Sequence, residues 1–192
     1  MPVKPFLSTD DLLSALASDD GALGIDGIPA EAVDPLAHHL QCAHRLSLVA
    51  PGDLELQVAG LVHDVGHILD PGDVSGHGRT GAEAVRSLLG ERVARLVELH
   101  VPAKRYLATV EATYRARLSP ASTASLVAQG GPMDAIEAGV FAADPDLDAA
   151  LVLRSADEAA KFPGLSMPDL EHWRPVVETV AAGGQAPPKD VG

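Results

Sequence analysis

An all-α fold, a single helical bundle, is predicted by three features of the 192-residue sequence. Apolar residues recur at steps of three and four along most of the chain, which is the period of an amphipathic helix. Ala, Leu and Val dominate and aromatic residues make up only 3%, a composition that suits helices better than strands. No segment shows the alternation of a half-buried strand. We predict one domain over residues 1–182, with its core at about 28–161, and a disordered tail at 183–192.

The predicted helices follow one another with short turns between them. Their approximate ranges are 9–18, 32–49, 53–69, 120–129, 133–142, 146–161 and 168–182, with a further helical face from Ala82 to Val97. Asp53 is a predicted cap for the third helix. Gly90 interrupts the face that contains it, where we expect a break or a kink. Loops are predicted at 70–76 and around 129–132.

The excess of acidic over basic residues disfavours two classes of partner. Asp and Glu number 27 against 14 Lys and Arg, for a formal net charge of -13, which disfavours binding to a nucleic acid backbone or an anionic membrane. Cys42 is a lone cysteine, and no apolar run approaches a membrane span. Residues 1–10 lack the pattern of a signal peptide. We expect a cytoplasmic monomer or small homo-oligomer that acts on a small molecule.

The run LVHDVGH, residues 61–67, places polar side chains inside an otherwise apolar predicted helix. His63 and Asp64 would point about 100 degrees apart, and His67 would share the face of His63 one turn later. A single His-Asp pair is weak support for a metal site, because a buried histidine bonded to a backbone carbonyl is common. The pair gains weight only from other residues of the same chemistry.

Further candidate ligands lie around this run. They are His38, His77, His100 and Asp157. Imidazole and carboxylate ligands without a thiolate suit iron or manganese, and they leave zinc possible. The remaining histidines are expected to have no metal role: His39, His44 and His172.

The order of His, His-Asp and Asp along the chain resembles the HD-domain superfamily, and the two extra histidines resemble its binuclear version. The implied ligands are His38, His63, Asp64, His77, His100 and Asp157. By this resemblance Asp64 bridges two metals. The other ligands divide into His38, His63 and Asp157 on one ion and His77 and His100 on the other. The second metal would keep more open positions for substrate and for dioxygen or water.

HD-domain proteins include phosphohydrolases and a smaller group of di-iron oxygenases, and the ligands alone do not separate them. The runs HVPAKRYL (100–107), LSPAS (118–122), QGGPM (129–133) and LRSADEAAK (153–161) resemble the organophosphonate branch of the oxygenases, which is distantly related to myo-inositol oxygenase. This resemblance implies a mixed-valent Fe(II)/Fe(III) pair with dioxygen as co-substrate. The implied reaction cleaves the carbon-phosphorus bond of a 1-hydroxyphosphonate, 2-amino-1-hydroxyethylphosphonate or an analogue, to phosphate and a carboxylic acid.

An anion site is also predicted from the residues themselves. Ser119 followed by Pro120 is typical of a helix start, so Ser122 and Ser125 would lie in the first two turns of that helix. Free backbone amides and the helix dipole favour an anion there. A phosphonate group has the matching charge.

Two cations are placed near the predicted metals. Lys104 lies four residues after one candidate ligand and Arg154 three residues before another, so both would face the site. Arg105 points elsewhere and is expected to be structural. By the resemblance, the phosphonate contacts are His67, Lys104, Ser122, Ser125 and Arg154. The implied catalytic residues are Asp64, His67 and Lys104.

Three positions concern the organic part of the substrate. Glu31, seven residues before His38, matches the acidic residue that meets a substrate amine in the family, although a solvated glutamate at a helix start explains it equally well. Ile28 stands where the family has a tyrosine that caps the metal before substrate binds. Ser155-Ala156 replaces a bulkier pair. These departures leave the substituent of the substrate open.

Two other functions compete with the oxygenase. One is an HD phosphohydrolase that acts on a nucleotide or phosphate monoester with metal-activated water. The predicted anion site and the scarcity of base-stacking aromatic residues disfavour it. The other is a catalytically silent metal-binding or phosphonate-binding regulator, which ranks last because nothing in the chain resembles a DNA-binding or signalling extension.

Overall fold

The computed structural model describes residues 3–19 and 30–183, and every regular element in these ranges is a helix. The helices are α1 (Thr9–Ala17), α2 (Pro35–Val49), α3 (Leu54–Val62), α4 (Val65–Leu69), α5 (His77–Val110), α6 (Tyr114–Arg117), α7 (Pro120–Ala128), α8 (Ala135–Ala142), α9 (Leu147–Glu158) and α10 (Leu170–Ala181). The predicted all-α class is confirmed.

Side-chain caps explain why most predicted helix starts are close to the observed ones. Asp34, Ser119 and Asp169 precede α2, α7 and α10, and each accepts a hydrogen bond from a backbone N–H in the first turn. Such caps satisfy amides that have no partner inside the helix. Pro35 and Pro120 occupy the first helical positions of α2 and α7, where proline is pre-set for the helix.

The prediction of one continuous helix over 53–69 is wrong. A turn at His63 and Asp64 separates α3 from α4. The turn brings α4 against the start of α5, where a Cβ on Gly66 would lie only 1.9 Å from the carbonyl oxygen of His77. This close approach is a tertiary contact, and it places Asp64 in a turn rather than on a helix.

Helix α5 is longer than the predicted face around it. Its 34 residues form two helical halves that meet at Gly90, whose φ of 85° and ψ of 174° are not helical, so the predicted interruption is confirmed. Pro102 lies inside α5 with helical backbone angles on either side. The four-residue helix α6 was not predicted, because so short a segment shows no periodicity.

The central helices are α2, α3, α5 and α9, which pack against one another, while α10 covers α1, α3 and α5. Leucines from all four central helices have no exposed surface in the main core: Leu46, Leu61, Leu96 and Leu153. Truncating any one of them to alanine is expected to cost about 2–5 kcal/mol. Three of these helices, α2, α5 and α9, carry four of the six candidate ligands, and the other two ligands follow α3 directly, so the core holds them in place.

Some expectations fall partly or wholly on residues outside the described ranges. These include Ile28 and residues 184–192 of the predicted tail. The domain limits of 1–182 stay a prediction. Among the helices in the described part of the chain, none combines the length and apolarity needed to cross a bilayer.

Candidate dinuclear metal centre

The six predicted ligands come together where the central helices meet. They lie on α2 (His38), in the turn after α3 (His63 and Asp64), on α5 (His77 and His100) and on α9 (Asp157). Asp64 is partly exposed and the other five are buried. The helical core therefore converts residues distant in sequence into one polar cluster.

The cluster divides into two groups of possible ligand atoms. The ligand atoms of His38, His63 and Asp157 all lie within 4.8 Å of one another, and those of Asp64, His77 and His100 do the same. This division agrees with the one implied by the family resemblance. Two metal ions side by side are therefore the natural occupancy of the cluster.

Asp64 faces both groups with different oxygens. Its Oδ2 lies 3.2 Å from His63 Nε2 and 3.7 Å from His38 Nε2. Its Oδ1 lies 3.3 Å from the Nε2 atoms of both His77 and His100. One carboxylate pointed at two sites in this way has the geometry of a bridging ligand.

Backbone carbonyls orient the four imidazole rings. The Nδ1 atoms of His38, His63, His77 and His100 lie 2.8, 2.9, 2.8 and 2.6 Å from the carbonyl oxygens of Ala160, Gly60, Val74 and Val97, respectively. Because a carbonyl oxygen can only accept, each ring donates from Nδ1. The Nε2 lone pairs are then left for a metal, as in many histidine ligands.

The Nε2 atoms meet in pairs that a cation would satisfy. His38 Nε2 and His63 Nε2 are 3.2 Å apart, and His77 Nε2 and His100 Nε2 are 2.9 Å apart. With the protons on Nδ1, each pair sets two lone pairs against each other in a buried site, which is unfavourable without a positive charge between them. Nitrogen and oxygen donors without thiolate suit iron, manganese or zinc. The residues present thus fit a pair of metal ions.

Electrostatics keep both carboxylates of the cluster ionised. Burial alone would raise the pKa of Asp64, but its interactions with His63, His77 and His100 outweigh that effect. For Asp157 the guanidinium of Arg154 outweighs burial. The pKa of each carboxyl is held well below its usual range, so both are anionic at neutral pH and available to cations.

A cavity of about 580 Å³ opens onto the cluster. All six predicted substrate contacts line it: Glu31, His67, Lys104, Ser122, Ser125 and Arg154. Ser155 is exposed, Ala156 packs in the main core, and neither is among the lining residues. The expectation that this pair adjoins the organic part of the substrate is therefore wrong.

One wall of the cavity is suited to an anion. Ser119 caps α7, and Ser122 and Ser125 lie in its first two turns as predicted. Lys104 is only 4% exposed and donates to Ser125 Oγ at 2.6 Å. Burial, reinforced by the charge on Arg154, lowers the pKa of Lys104 to about 7. An anion bound beside this ammonium would favour its charged form.

Arg154 contacts two residues of its own helix and Tyr114 of α6. Its guanidinium pairs with Asp157 and Glu158, and its Nε donates to Tyr114 Oη at 2.8 Å. These contacts fix the orientation of Asp157 next to His38 and His63. Arg154 is therefore placed to position a candidate ligand, and its predicted contact with the phosphonate stays a prediction.

His67 adjoins the second ligand group. Its ring stacks on that of His77, with centroids 3.8 Å apart and an interplanar angle of 15°. Burial, together with the neighbouring His77, lowers the pKa of His67 to about 4. Its Nδ1 is buried without a hydrogen-bond partner. A neutral imidazole whose Nδ1 is free to form a hydrogen bond thus lines the cavity.

Lys161 and Gln129 line the cavity with polar side chains and were not predicted as site residues. Lys161 Nζ lies 3.0 Å from Glu31 Oε1 and 2.5 Å from Ser122 Oγ. Gln129 donates to Val74 O at 3.4 Å, and its Oε1 is buried without a partner. The available signal for Lys161 was its spacing of four residues from Asp157, the same kind of spacing that identified Arg154.

The residues predicted to have no metal role lie outside the two ligand groups, although His39 is among the residues that line the cavity. Arg105 Nε donates to the carbonyl of Gly131 at 2.9 Å, and its guanidinium pairs with Glu137 at 3.0 Å. The remaining histidines belong to neither ligand group: His39, His44 and His172. Arg105 thus braces the loop before α8.

Comparisons with known proteins agree on one kind of protein. A family model described as the HD domain matches residues 36–145. Hydroxymethylphosphonate dioxygenase of Gimesia maris is 39% identical over 158 residues, which cover 78% of each chain. The [1-hydroxy-2-(trimethylamino)ethyl]phosphonate dioxygenase (glycine-betaine-forming) of Leisingera caerulea is 37% identical over 132 residues, 65% of this chain and 67% of the relative. Both relatives are named as dioxygenases of hydroxyphosphonates.

Proposed function

The chain belongs to the HD-domain family, and we propose that it is a dioxygenase that cleaves the carbon-phosphorus bond of a 1-hydroxyphosphonate. One observation carries the proposal. Two ligand groups, both of which Asp64 faces, open into the same cavity as an anion-binding wall built from Lys104, Ser122 and Ser125. The substrates named for the two relatives, which are phosphonates with a neighbouring hydroxyl, have the chemistry that such a cavity accommodates.

The proposed reaction balances without an external reductant. R–CH(OH)–PO3H2 and O2 give R–COOH and H3PO4, so the substrate supplies the four electrons that reduce dioxygen. We assign an Fe(II)/Fe(III) pair to the six ligands. When bound, this pair would supply the redox chemistry with dioxygen and polarise the substrate oxygens.

The side chains around the cluster have complementary tasks in this proposal. Lys104 and the two serines at the start of α7 hold the phosphonate oxygens through charge-assisted hydrogen bonds. His67, kept neutral by its surroundings, exchanges a hydrogen bond with a substrate oxygen. Asp64 links the two metal sites. Together these contacts fix the carbinol carbon beside the metals, and such positioning accounts for much of the rate gain in enzymes.

The phosphohydrolase alternative is less well supported than the oxygenase. Both named relatives are dioxygenases, and a hydrolase would need only activated water in the same cavity. The silent-regulator alternative gains no support from the cavity, since its lining combines candidate metal ligands with unused polar groups.

Oxygen dependence tests the proposal directly. Protein purified without oxygen and loaded with iron is mixed with hydroxymethylphosphonate and larger 1-hydroxyphosphonates, and phosphate is measured with and without dioxygen. We expect phosphate only when dioxygen is present. Equal release in both conditions would establish a hydrolase, and binding without turnover across the panel would favour the regulator. Metal analysis should find two ions per chain.

A further inference from the structure

Glu31 and Lys161 form an ion pair in the wall of the cavity. Lys161 Nζ lies 3.0 Å from Glu31 Oε1, and the side chains are 15% and 30% exposed. Ser119 donates to the same oxygen at 2.7 Å and Ser122 at 3.4 Å. The carboxylate that the family resemblance assigns to a substrate amine is thus already matched by a lysine and two hydroxyl groups of the chain.

The ion pair belongs to a chain of ion pairs. Lys161 Nζ also lies 3.4 Å from Glu158 Oε1, and Glu158 pairs with Arg154. Charges alternate in sign from Glu31 through Lys161 and Glu158 to Arg154, which also pairs with Asp157. A cationic group that approached Glu31 would meet the Lys161 ammonium and would have to displace it.

Glu31 also has a structural partner that opposes such displacement. Its carboxylate accepts from Ser119, the residue that caps α7, and so joins the segment before α2 to the start of α7. The contacts of Glu31 lower the pKa of its carboxyl group, despite a burial that would raise it. If Lys161 moved away, the Glu31 carboxylate would lose its positively charged partner in a partly buried position, which costs free energy.

We propose that Lys161 makes the cavity select 1-hydroxyphosphonates whose substituent on the carbinol carbon is uncharged, and reject those whose substituent carries an ammonium group. This inference rests on the proposed dioxygenase function and narrows its substrate class. Hydroxymethylphosphonate and its alkyl homologues belong to the accepted class. Repulsion between the Lys161 ammonium and an ammonium group on the substrate would exclude the cationic compounds.

Two substrates of equal size separate charge from shape. They are 2-amino-1-hydroxyethylphosphonate and 1-hydroxypropylphosphonate, which differ only by an ammonium in place of a methyl group. We expect the natural protein to prefer the methyl compound in kcat/KM by roughly tenfold or more. The preference should shrink to parity or reverse in Lys161→Met, because this variant keeps a long apolar stem and releases Glu31 for the ammonium.

Three further variants serve as controls. Lys4→Met removes a lysine that is exposed and is not among the cavity-lining residues, and it should leave the ratio unchanged. Lys161→Gln keeps a donor for Ser122 without the charge, so it covers the case in which Lys161→Met folds poorly. Adding Glu31→Gln to Lys161→Met should remove the gained activity on the ammonium compound. A wild-type preference for the ammonium compound, or a ratio that ignores Lys161, would overturn the inference.

Different measurements test the dioxygenase function and the charge selection by Lys161. Phosphate release from 1-hydroxypropylphosphonate in oxygen tests the dioxygenase function, whereas the ratio between the two compounds tests the role of Lys161. If neither hydroxymethylphosphonate nor either of these two compounds is turned over in oxygen, the dioxygenase proposal fails. The ratio of their affinities for the metal-loaded protein, measured by calorimetry without oxygen, then still decides whether Lys161 selects by charge.

Discussion

The ligand cluster and the α7 wall of the same cavity are built in different ways. In the cluster each imidazole is held by a backbone carbonyl, as for His77 and Val74. In the wall the functional side chains hold one another, as Lys104 holds Ser125 and Lys161 holds Ser122 and Glu31. A backbone carbonyl stays in place when a neighbouring side chain is substituted. Side chains that bond to one another change position together when one of them is substituted. Changes in the cluster should therefore abolish the chemistry, and changes in the wall should alter which substrate binds.

The largest expected effect is that of Asp64→Ala, since both ligand groups depend on this carboxylate. We expect metal content to fall from two ions per chain to none and turnover to become undetectable. Metal analysis after dialysis measures the loss. Asp70→Ala removes an exposed aspartate of the following loop and should retain both ions. Retention of one tightly bound ion by Asp64→Ala would show that Asp64 does not bridge.

Gly66→Ala disturbs the ligand cluster through the backbone contact between α4 and α5. Its Cβ would meet the His77 carbonyl at 1.9 Å, so α4 must move from α5 and displace Asp64 from His77. We expect the free energy of unfolding to fall by about 3 kcal/mol, together with metal affinity, as measured by denaturant titration with and without metal. Gly52→Ala, where no atom lies within 4 Å of the new Cβ, should change neither.

Lys104→Met changes the α7 wall and none of the candidate metal ligands. Loss of a charge-assisted hydrogen bond should weaken phosphonate affinity by roughly thirtyfold, about 2 kcal/mol, while both metals stay bound. Stability should stay equal or rise, because a buried ammonium is exchanged for an apolar side chain of similar length. Calorimetry and metal analysis check both statements, with Lys4→Met as the exposed control. Metal loss equal to that of Asp64→Ala would refute this division between cluster and wall.

A smaller effect is expected from pH. The pKa of Lys104 is lowered to about 7 in the protein, so raising the pH from 6 to 9 removes its positive charge and should weaken anion binding by about tenfold. Methylphosphonate, which lacks the reacting hydroxyl, is a suitable probe for calorimetry without oxygen. The same titration of Lys104→Met corrects for ionisation of the probe itself. Identical pH profiles for the two proteins would argue against the lysine as the titrating group.

The smallest expected effect is that of Tyr114→Phe. The change removes the hydroxyl that accepts from Arg154 Nε at 2.8 Å, although Arg154 keeps Asp157 and Glu158. We expect a loss of about 1 kcal/mol in the free energy of unfolding and a fall in turnover of a few fold, with metal content unchanged. Tyr106→Phe, whose ring contacts Phe141 outside the cavity lining, is the matched control.

Residue chemistry and order explain how much of this molecule the sequence predicted. The helix starts carry their own caps, and the candidate ligands belong to a recognisable order, so both could be predicted without coordinates. The turn at His63 and Asp64 could not, because it follows from the contact between Gly66 and His77 across two helices. The pairing of Glu31 with Lys161 was missed for the same reason, since it joins segments far apart in the chain.

The carbonyl anchors of the histidines also set an order of assembly. His63, His77 and His100 each use a carbonyl three residues earlier in their own segment, whereas His38 on α2 uses Ala160 just after α9. Three rings are therefore aimed as soon as their local turns form, but His38 is aimed only when the two ends of the bundle meet. A nascent chain should gain its first metal-chelating pair, His77 and His100, when the two halves of α5 pack together, and complete the other ligand group when α9 reaches α2.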